Sequence, residues 1–132
     1  MNTKEVGALG EKIAINYLKK RGYKILDKNY SPKFVSGPLR GEVDIIAKKD
    51  DVINFIEVKT LIKNGREQFS AISPEERVDY WKQRKILKMA ESWMMEKKIP
   101  LESPWQIDIV SIRIDPDLKK AKIQHLKNAV FC

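Results

Sequence analysis

The chain has 132 residues, 42% of them hydrophobic and 33% charged, which predicts one globular domain over residues 1–132 and excludes a two-domain enzyme. Its longest apolar run, Ala129 to Cys132, is far below the roughly 20 residues that span a bilayer, and no signal peptide is recognisable, so we expect a cytoplasmic protein that does not enter membranes. Lysine and arginine number 26 against 18 acidic residues, a net charge of +8, which makes nucleic acid the first partner to consider.

The first 40 residues predict a helix followed by a strand. Asn2 can cap a helix over about residues 3–21, whose apolar side chains recur at helical spacing, and Gly22 supplies a left-handed stop. A first strand follows from Tyr23 to Tyr30, and residues 31–40 are a loop with two prolines.

The rest of the chain predicts a hairpin, a second helix and two more strands. The hairpin strands are residues 41–48 and 52–60, and the helix runs from the capping box at Ser73 to about Lys98. Residues 105–114 are apolar on both faces, which is typical of a central strand, and residues 121–126 are the last strand. This order predicts an α/β fold, with a mixed sheet of about five strands flanked by helices on both faces.

The hairpin brings acidic residues together. If its turn is centred between Asp50 and Asp51, Asp44 faces Glu57 and Glu42 faces Lys59, with all four on one face of the sheet. Like charges placed so closely are destabilising, so two opposed carboxylates call for a cation. A surface salt bridge between Glu42 and Lys59, beside two solvated acids, is the simpler alternative.

The cysteine and histidine content limits the kind of metal. A lone cysteine, Cys132, and a lone histidine, His125, cannot build the multi-ligand cages that zinc prefers. Catalysis by a nucleophile and a histidine base would depend on His125 alone. Carboxylate oxygens instead suit hard ions, Mg²⁺ or Mn²⁺.

The motifs together resemble a nuclease family. Asp44 followed by Glu57-Val58-Lys59 resembles the acid and (D/E)-x-K pattern of the restriction-endonuclease-like superfamily. The wider chain is similar to its small bacterial YraN-type branch (UPF0102) of predicted endonucleases, which are related to archaeal Holliday-junction resolvases. The matching segments are Gly10–Lys12 with Ala14, Gly41–Ala47, Phe55–Thr60 and Ile107–Val110.

This resemblance implies roles for individual residues. Asp44, Glu57 and the backbone carbonyl of Val58 would bind the metal, and Glu11 matches a helix acid that resolvase-like members add. Lys59 would orient or deprotonate the attacking water, or stabilise charge on the phosphate. Asp108 belongs to a matching motif, but we interpret it as structural. Resolvase relatives pair to cut two strands, so a homodimer is also an expectation.

Basic residues supply a candidate surface for nucleic acid. A stripe along the second helix comprises Arg77, Trp81, Arg84 and Lys88, with Lys85 beside it, and Arg40, Lys63 and Arg66 flank the hairpin. The alternative is a solvated helix face with Trp81 in the core.

The primary hypothesis is therefore a metal-dependent DNA endonuclease, with branched DNA as a candidate substrate. A nucleic-acid-binding protein that keeps the fold without activity is the alternative, and a scaffold that docks an acidic partner is a more remote one.

Overall fold

The computed structural model describes residues 2–32, 41–62 and 80–129, with the side chains of Thr3 and of residues 80–83 left out. In chain order the elements are α1 (Thr3–Lys20), β1 (Lys24–Tyr30), β2 (Val43–Lys49), β3 (Val52–Ile62), α2 (Tyr80–Glu96), β4 (Trp105–Asp115) and β5 (Lys120–Leu126). The predicted order of helices and strands is confirmed. The predicted start of the second helix lies outside the described residues.

The sequence accounts for both ends of α1 and for the hairpin turn. Asn2 accepts a hydrogen bond from the Glu5 N–H at 2.8 Å, and Gly22, at φ +90°, ends the helix as predicted. Asp50 and Asp51 both have positive φ, which is the geometry of a two-residue hairpin turn that matches the twist of its strands.

The five strands form one mixed sheet in the order β1-β2-β3-β4-β5. All neighbours are antiparallel except β3 and β4, which run parallel from Ile53–Trp105 to Ile62–Ile114. The second helix lies between these two strands in sequence, as a parallel connection requires. The predicted α/β fold with a mixed five-stranded sheet is confirmed.

Each face of the sheet has its own apolar cluster. The α1 cluster joins Ala14 and Leu18 of the helix to Ile45, Ile56 and Val110 of the sheet. The α2 cluster joins four buried residues of the second helix to the other face; these are Ile86, Met89, Ala90 and Trp93. The two helices therefore cover opposite faces. No helix in the described part of the chain combines the length and apolar character needed to cross a bilayer.

The hairpin register is confirmed, but only over part of its length. The pairs run from Lys49–Val52 to Ile45–Ile56, and each follows the predicted register. Within the described hairpin the ladder ends there, so it includes neither the Asp44–Glu57 pair nor the Glu42–Lys59 pair.

Beyond this point the strict alternation of β2 fails. Val43 packs in the α2 cluster together with Ile46, whereas Ile45 packs in the α1 cluster. The predicted register implies alternation along β2, which would place Asp44 with Ile46 on one face and Val43 with Ile45 on the other. This expectation is wrong, because the strand leaves the ladder with β3 between Val43 and Ile45. Asp44 consequently lies close to Glu11 of α1 instead of sharing a face with Ile46.

Candidate metal centre

The acid from the first helix is positioned by a close approach between α1 and β3. A Cβ atom on Gly10 would lie 1.8 Å from Oγ1 of Thr60 and 2.8 Å from its Cβ, so only glycine allows the helix to come this near to the strand. Glu11 is the next residue and is half-buried. The packing at Gly10 therefore brings the Glu11 carboxylate to the sheet.

Asp44 is held by the neighbouring strand. Its Oδ2 accepts a hydrogen bond from the Val58 N–H at 2.7 Å, at the position where continuation of the ladder would have paired Val58 with Val43. Burial raises the pKa of Asp44 from 3.8 to about 6; the Val58 N–H opposes this rise, and the charges of Glu11, Glu57 and Glu42 add to it. Negative charge is therefore concentrated around a carboxylate that water solvates poorly.

Three carboxylates from two parts of the chain, α1 and the start of β2, meet at this point. Glu11 of α1, Glu42 just before β2, and Asp44 of β2 each offer an oxygen, and these oxygens all lie within 4.8 Å of one another. Burial, followed by the charge of Glu42, raises the pKa of Glu11 above its usual value. We call Glu11, Glu42 and Asp44 the carboxylate cluster.

Asn29 links two members of this cluster. With its amide oriented so that the nitrogen faces the acids, Asn29 donates to Glu42 Oε1 at 2.8 Å and to Glu11 Oε1 at 3.0 Å. Its positive φ of 51° is a conformation that asparagine tolerates better than most residues. The end of β1 thus holds two carboxylates next to each other despite their like charge.

The donor set fits a hard divalent cation. It consists of carboxylate oxygens, which suit Mg²⁺ or Mn²⁺, and their spacing would allow the oxygens to share one ion. A cation at this point would also offset the like-charge repulsion that raises the pKa of Asp44. The carboxylate cluster therefore has the chemistry and the spacing of a metal site.

The other residues assigned from the resemblance lie on β3. Glu57 and Lys59 are half-buried and stand beside Ile109 and Ser111 of β4. Glu57 is close enough to raise the pKa of Asp44, but it is not among the three acids whose oxygens lie within 4.8 Å of one another. Val58 is joined to Asp44 through its backbone N–H.

Two residues of the site were not predicted in these roles. The sequence reasoning paired Glu42 with Lys59, whereas the structure places Glu42 beside Glu11 and Asp44. Asn29 was read only as part of a strand. Its position at the end of β1, which pairs with the part of β2 around Asp44, was the available signal, but the pairing of β1 with β2 could not be read from hydrophobic pattern alone.

The residues predicted to bind nucleic acid are only partly described. Arg84 and Lys88 are exposed on α2. Lys85 packs near Gly41, since its Cδ is 4.0 Å from the position of a Cβ on that glycine. The side chain of Trp81 lies outside the description, and so do four other predicted contacts: Arg40, Lys63, Arg66 and Arg77.

Asp108 lies in a separate buried network. It is fully buried and accepts hydrogen bonds from Gln106 Nε2 at 2.8 Å and from the Asn128 N–H at 2.9 Å. His125 Nε2 lies 2.8 Å from its other oxygen, and Tyr17 contacts the far side of the imidazole at 3.2 Å. These bonds tie β5 and its following turn to β4, which supports the structural interpretation of Asp108.

Comparison with known proteins places the chain in a family. The family model described as "Uncharacterised protein family UPF0102" matches residues 10–112. A UPF0102 protein of Dictyoglomus thermophilum is 43% identical over 129 residues, which covers 98% of this chain and 99% of the relative.

Two further relatives agree over the same length. A UPF0102 protein of Caldanaerobacter subterraneus subsp. tengcongensis is 39% identical over 130 residues, 98% of this chain and 97% of the relative. A UPF0102 protein of Clostridioides difficile is 37% identical over 129 residues, 98% of this chain and 99% of the relative. The chain belongs to the uncharacterised family UPF0102.

Proposed function

We propose that this protein is a metal-dependent DNA endonuclease that hydrolyses phosphodiester bonds with Mg²⁺ or Mn²⁺. The observation that carries the proposal is the meeting of Glu11, Glu42 and Asp44, whose oxygens lie within 4.8 Å of one another. Such crowding costs stability without a cation, and functional sites commonly accept that cost.

The neighbouring β3 residues support this chemistry. Glu57 and Lys59 follow Asp44 in the order of the acid and (D/E)-x-K pattern, and β3 lies next to Asp44 through the Val58 N–H. In hydrolysis a water oxygen bonds to phosphorus, the bond to the leaving oxygen breaks, and a proton passes to that oxygen. Lys59 would hold the attacking water or donate a hydrogen bond to the phosphate.

The carboxylate cluster would bind the cation through its oxygens. When bound, a divalent ion supplies positive charge beside the phosphate oxygens and helps to activate water. Asn29 would keep Glu11 and Glu42 oriented toward the same point, since it donates to one oxygen of each. Hydrogen bonds from a neighbouring side chain to metal-binding carboxylates fix the orientation of those ligands.

The net charge of +8 and the resemblance to resolvases favour DNA, including branched DNA, as the substrate. The test is a cleavage panel of single-stranded, duplex, flap and four-way DNA with Mg²⁺, with Mn²⁺ and with a chelator. Asp44→Asn and Lys59→Ala should each lower cleavage by at least about 100-fold. The matched control is Glu102→Gln, at an exposed residue in the turn that precedes β4, which should cleave like the wild type.

The same panel decides between the endonuclease and its alternative. Salt-sensitive DNA binding with no product on any substrate, with either metal, would favour a nucleic-acid-binding protein that keeps the nuclease fold. Cleavage that persists in both Asp44→Asn and Lys59→Ala would show that the activity resides elsewhere.

A further inference from the structure

A cleft of about 300 Å³ lies between α1 and β1, directly beside the carboxylate cluster. Its walls include Glu11, Lys12, Ile15 and Asn16 of the helix, and Lys28 and Asn29 of the strand. Neither Lys12 nor Lys28 was among the predicted contacts for nucleic acid. Those contacts were placed on the second helix and beside the hairpin.

The cleft and the carboxylate cluster share two residues. Glu11 contributes to both, and Asn29 lines the cleft while its amide donates to Glu11 and Glu42. A chain molecule that occupies the cleft would therefore pass within reach of the three carboxylates. This continuity distinguishes the cleft from the pocket of about 220 Å³ around Arg84 and Lys88 on α2, which shares no residue with the cluster.

The polar lining of the cleft suits an anion. Lys12, Asn16 and Lys28 are exposed, so their amino and amide groups can reach a ligand without displacing core side chains. The simpler interpretation is that the two lysines only neutralise the nearby acids. Lys28 does lower the pKa of Glu11, but it is the weakest of the four influences and this pKa remains raised.

The charges around the cleft indicate the class of ligand that it would bind. Each wall of the cleft carries one lysine, Lys12 on α1 and Lys28 on β1, and the adjoining cluster is anionic, so a free carboxylate or phosphate would be attracted by the lysines and repelled by the cluster. A nucleic-acid strand with a bound cation satisfies both the lysines and the cluster, because successive phosphates can lie on the lysines and beside the ion.

We propose that the α1–β1 cleft binds the phosphodiester backbone of the DNA strand next to the bond that is cut, with Lys12 and Lys28 as phosphate contacts and Asn16 as a hydrogen-bond donor. The proposal rests on the proposed endonuclease function and adds the path of the substrate. It places the strand on the α1 side of the sheet, whereas Arg84, Lys85 and Lys88, which were predicted as contacts from the sequence, belong to α2, which covers the other face.

The test compares two double variants with equal loss of charge. Lys12→Gln with Lys28→Gln removes the cleft lysines, and Lys120→Gln with Lys122→Gln removes two exposed lysines of β5, at the opposite edge of the sheet. Affinity for a fluorescent DNA duplex is measured by anisotropy over a range of salt concentrations in Ca²⁺, and the DNA is recovered afterwards to check that it is intact.

The cleft variant should weaken binding and reduce the slope of log K against log salt by about 1.8, or about 0.9 for each lost phosphate contact. The β5 variant should leave the slope within about 0.3 of the wild type. Equal changes in both variants, no change in the cleft variant, or no binding by the wild type would each overturn the proposal.

A second readout separates this proposal from the endonuclease function. Mn²⁺ binding by the cleft variant, measured calorimetrically, should remain within about threefold of the wild type, because the carboxylates are intact. Loss of Mn²⁺ binding would mean that the lysine changes disturb the cluster itself, which would contradict a separate role in DNA binding. Failure of the wild type to cleave any DNA would refute the endonuclease function. The comparison of the salt slopes separately tests whether the cleft binds DNA.

Discussion

The backbone N–H of Val58 donates a hydrogen bond of 2.7 Å to Oδ2 of Asp44, and this bond fixes the central carboxylate of the cluster to the neighbouring strand. An N–H in this position would otherwise continue the β2–β3 ladder. One backbone pairing between β2 and β3 is therefore lost, and the Asp44 carboxylate is held in its place. A hairpin with only a structural role would keep that pairing.

Asp44→Asn should stabilise the metal-free protein at pH 7 by about 1–3 kcal/mol, while it weakens Mn²⁺ binding. The asparagine oxygen can still accept from Val58, but it carries no charge next to Glu11 and Glu42. Urea unfolding in a chelator measures the stability, and calorimetry measures the metal affinity. A variant that is less stable than the wild type and binds Mn²⁺ equally well would contradict this account.

The stability gain should depend on pH in a defined direction. The pKa of Asp44 is about 6 in the folded protein against 3.8 ordinarily, so between these values the folded state keeps a proton that the unfolded state has lost. Wild-type stability relative to Asp44→Asn should therefore fall as the pH rises from about 4 to about 6, and the difference should be constant above that range. Unfolding of both proteins at several pH values in a chelator tests this. A stability advantage of Asp44→Asn over the wild type that becomes smaller as the pH rises would contradict this prediction.

Glu42→Gln should weaken Mn²⁺ binding by about 10-fold or more, although sequence reasoning had assigned Glu42 to a pair with Lys59. The amide keeps an acceptor for Asn29 but lowers the negative charge of the cluster, on which cation affinity depends. Glu102→Gln makes the same chemical change at an exposed turn and should bind Mn²⁺ as the wild type does. Equal affinity of the Glu42 and Glu102 variants would remove Glu42 from the site.

Two glycines of α1 should respond oppositely to alanine. Gly7→Ala meets no atom within 4 Å and should stabilise the protein by about 0.5–1 kcal/mol, since alanine favours the helix. Gly10→Ala would clash with Thr60 and should destabilise it by about 1–3 kcal/mol. Thr60→Ala should recover part of that loss in a double-mutant cycle, because it removes Oγ1 and Cγ2. Similar effects of both alanines on the free energy of unfolding would refute the close approach.

Asp108→Ala should lower the free energy of unfolding by about 3 kcal/mol without weakening Mn²⁺ binding. The substitution leaves the Gln106 amide, the Asn128 N–H and the His125 imidazole without their common acceptor, and buried donors that lose a partner are costly. Loss of Mn²⁺ affinity in a variant that still folds would instead assign Asp108 to the metal site.

The fold could be predicted further than the site. Helical spacing in α1 and the turn at Asp50 and Asp51 are local signals, and they gave the elements and the Ile45–Ile56 register. The prediction failed where the strand leaves that ladder, because alternation carries no information once pairing stops. Val43 therefore packs under α2, and Glu42 joins Glu11 and Asp44.

Long-range positioning was the part that the sequence pattern could not supply. Glu11 was assigned only from the resemblance to resolvase-like proteins, and the Gly10–Thr60 approach explains how the helix brings it to the sheet. The bridging role of Asn29 depends on a positive φ and on the pairing of β1 with β2, neither of which has a periodic signature. Residues of this kind become visible only when separate elements are brought together.

The most direct test of a cation held by the carboxylate cluster is anomalous scattering from crystals of the wild-type protein grown with Mn²⁺. The account predicts a peak about 2.0–2.4 Å from carboxylate oxygens of Asp44 and of at least one of Glu11 and Glu42, and no such peak in Asp44→Asn. A wild-type crystal with ordered side chains and millimolar Mn²⁺ that shows no peak at these oxygens would contradict it.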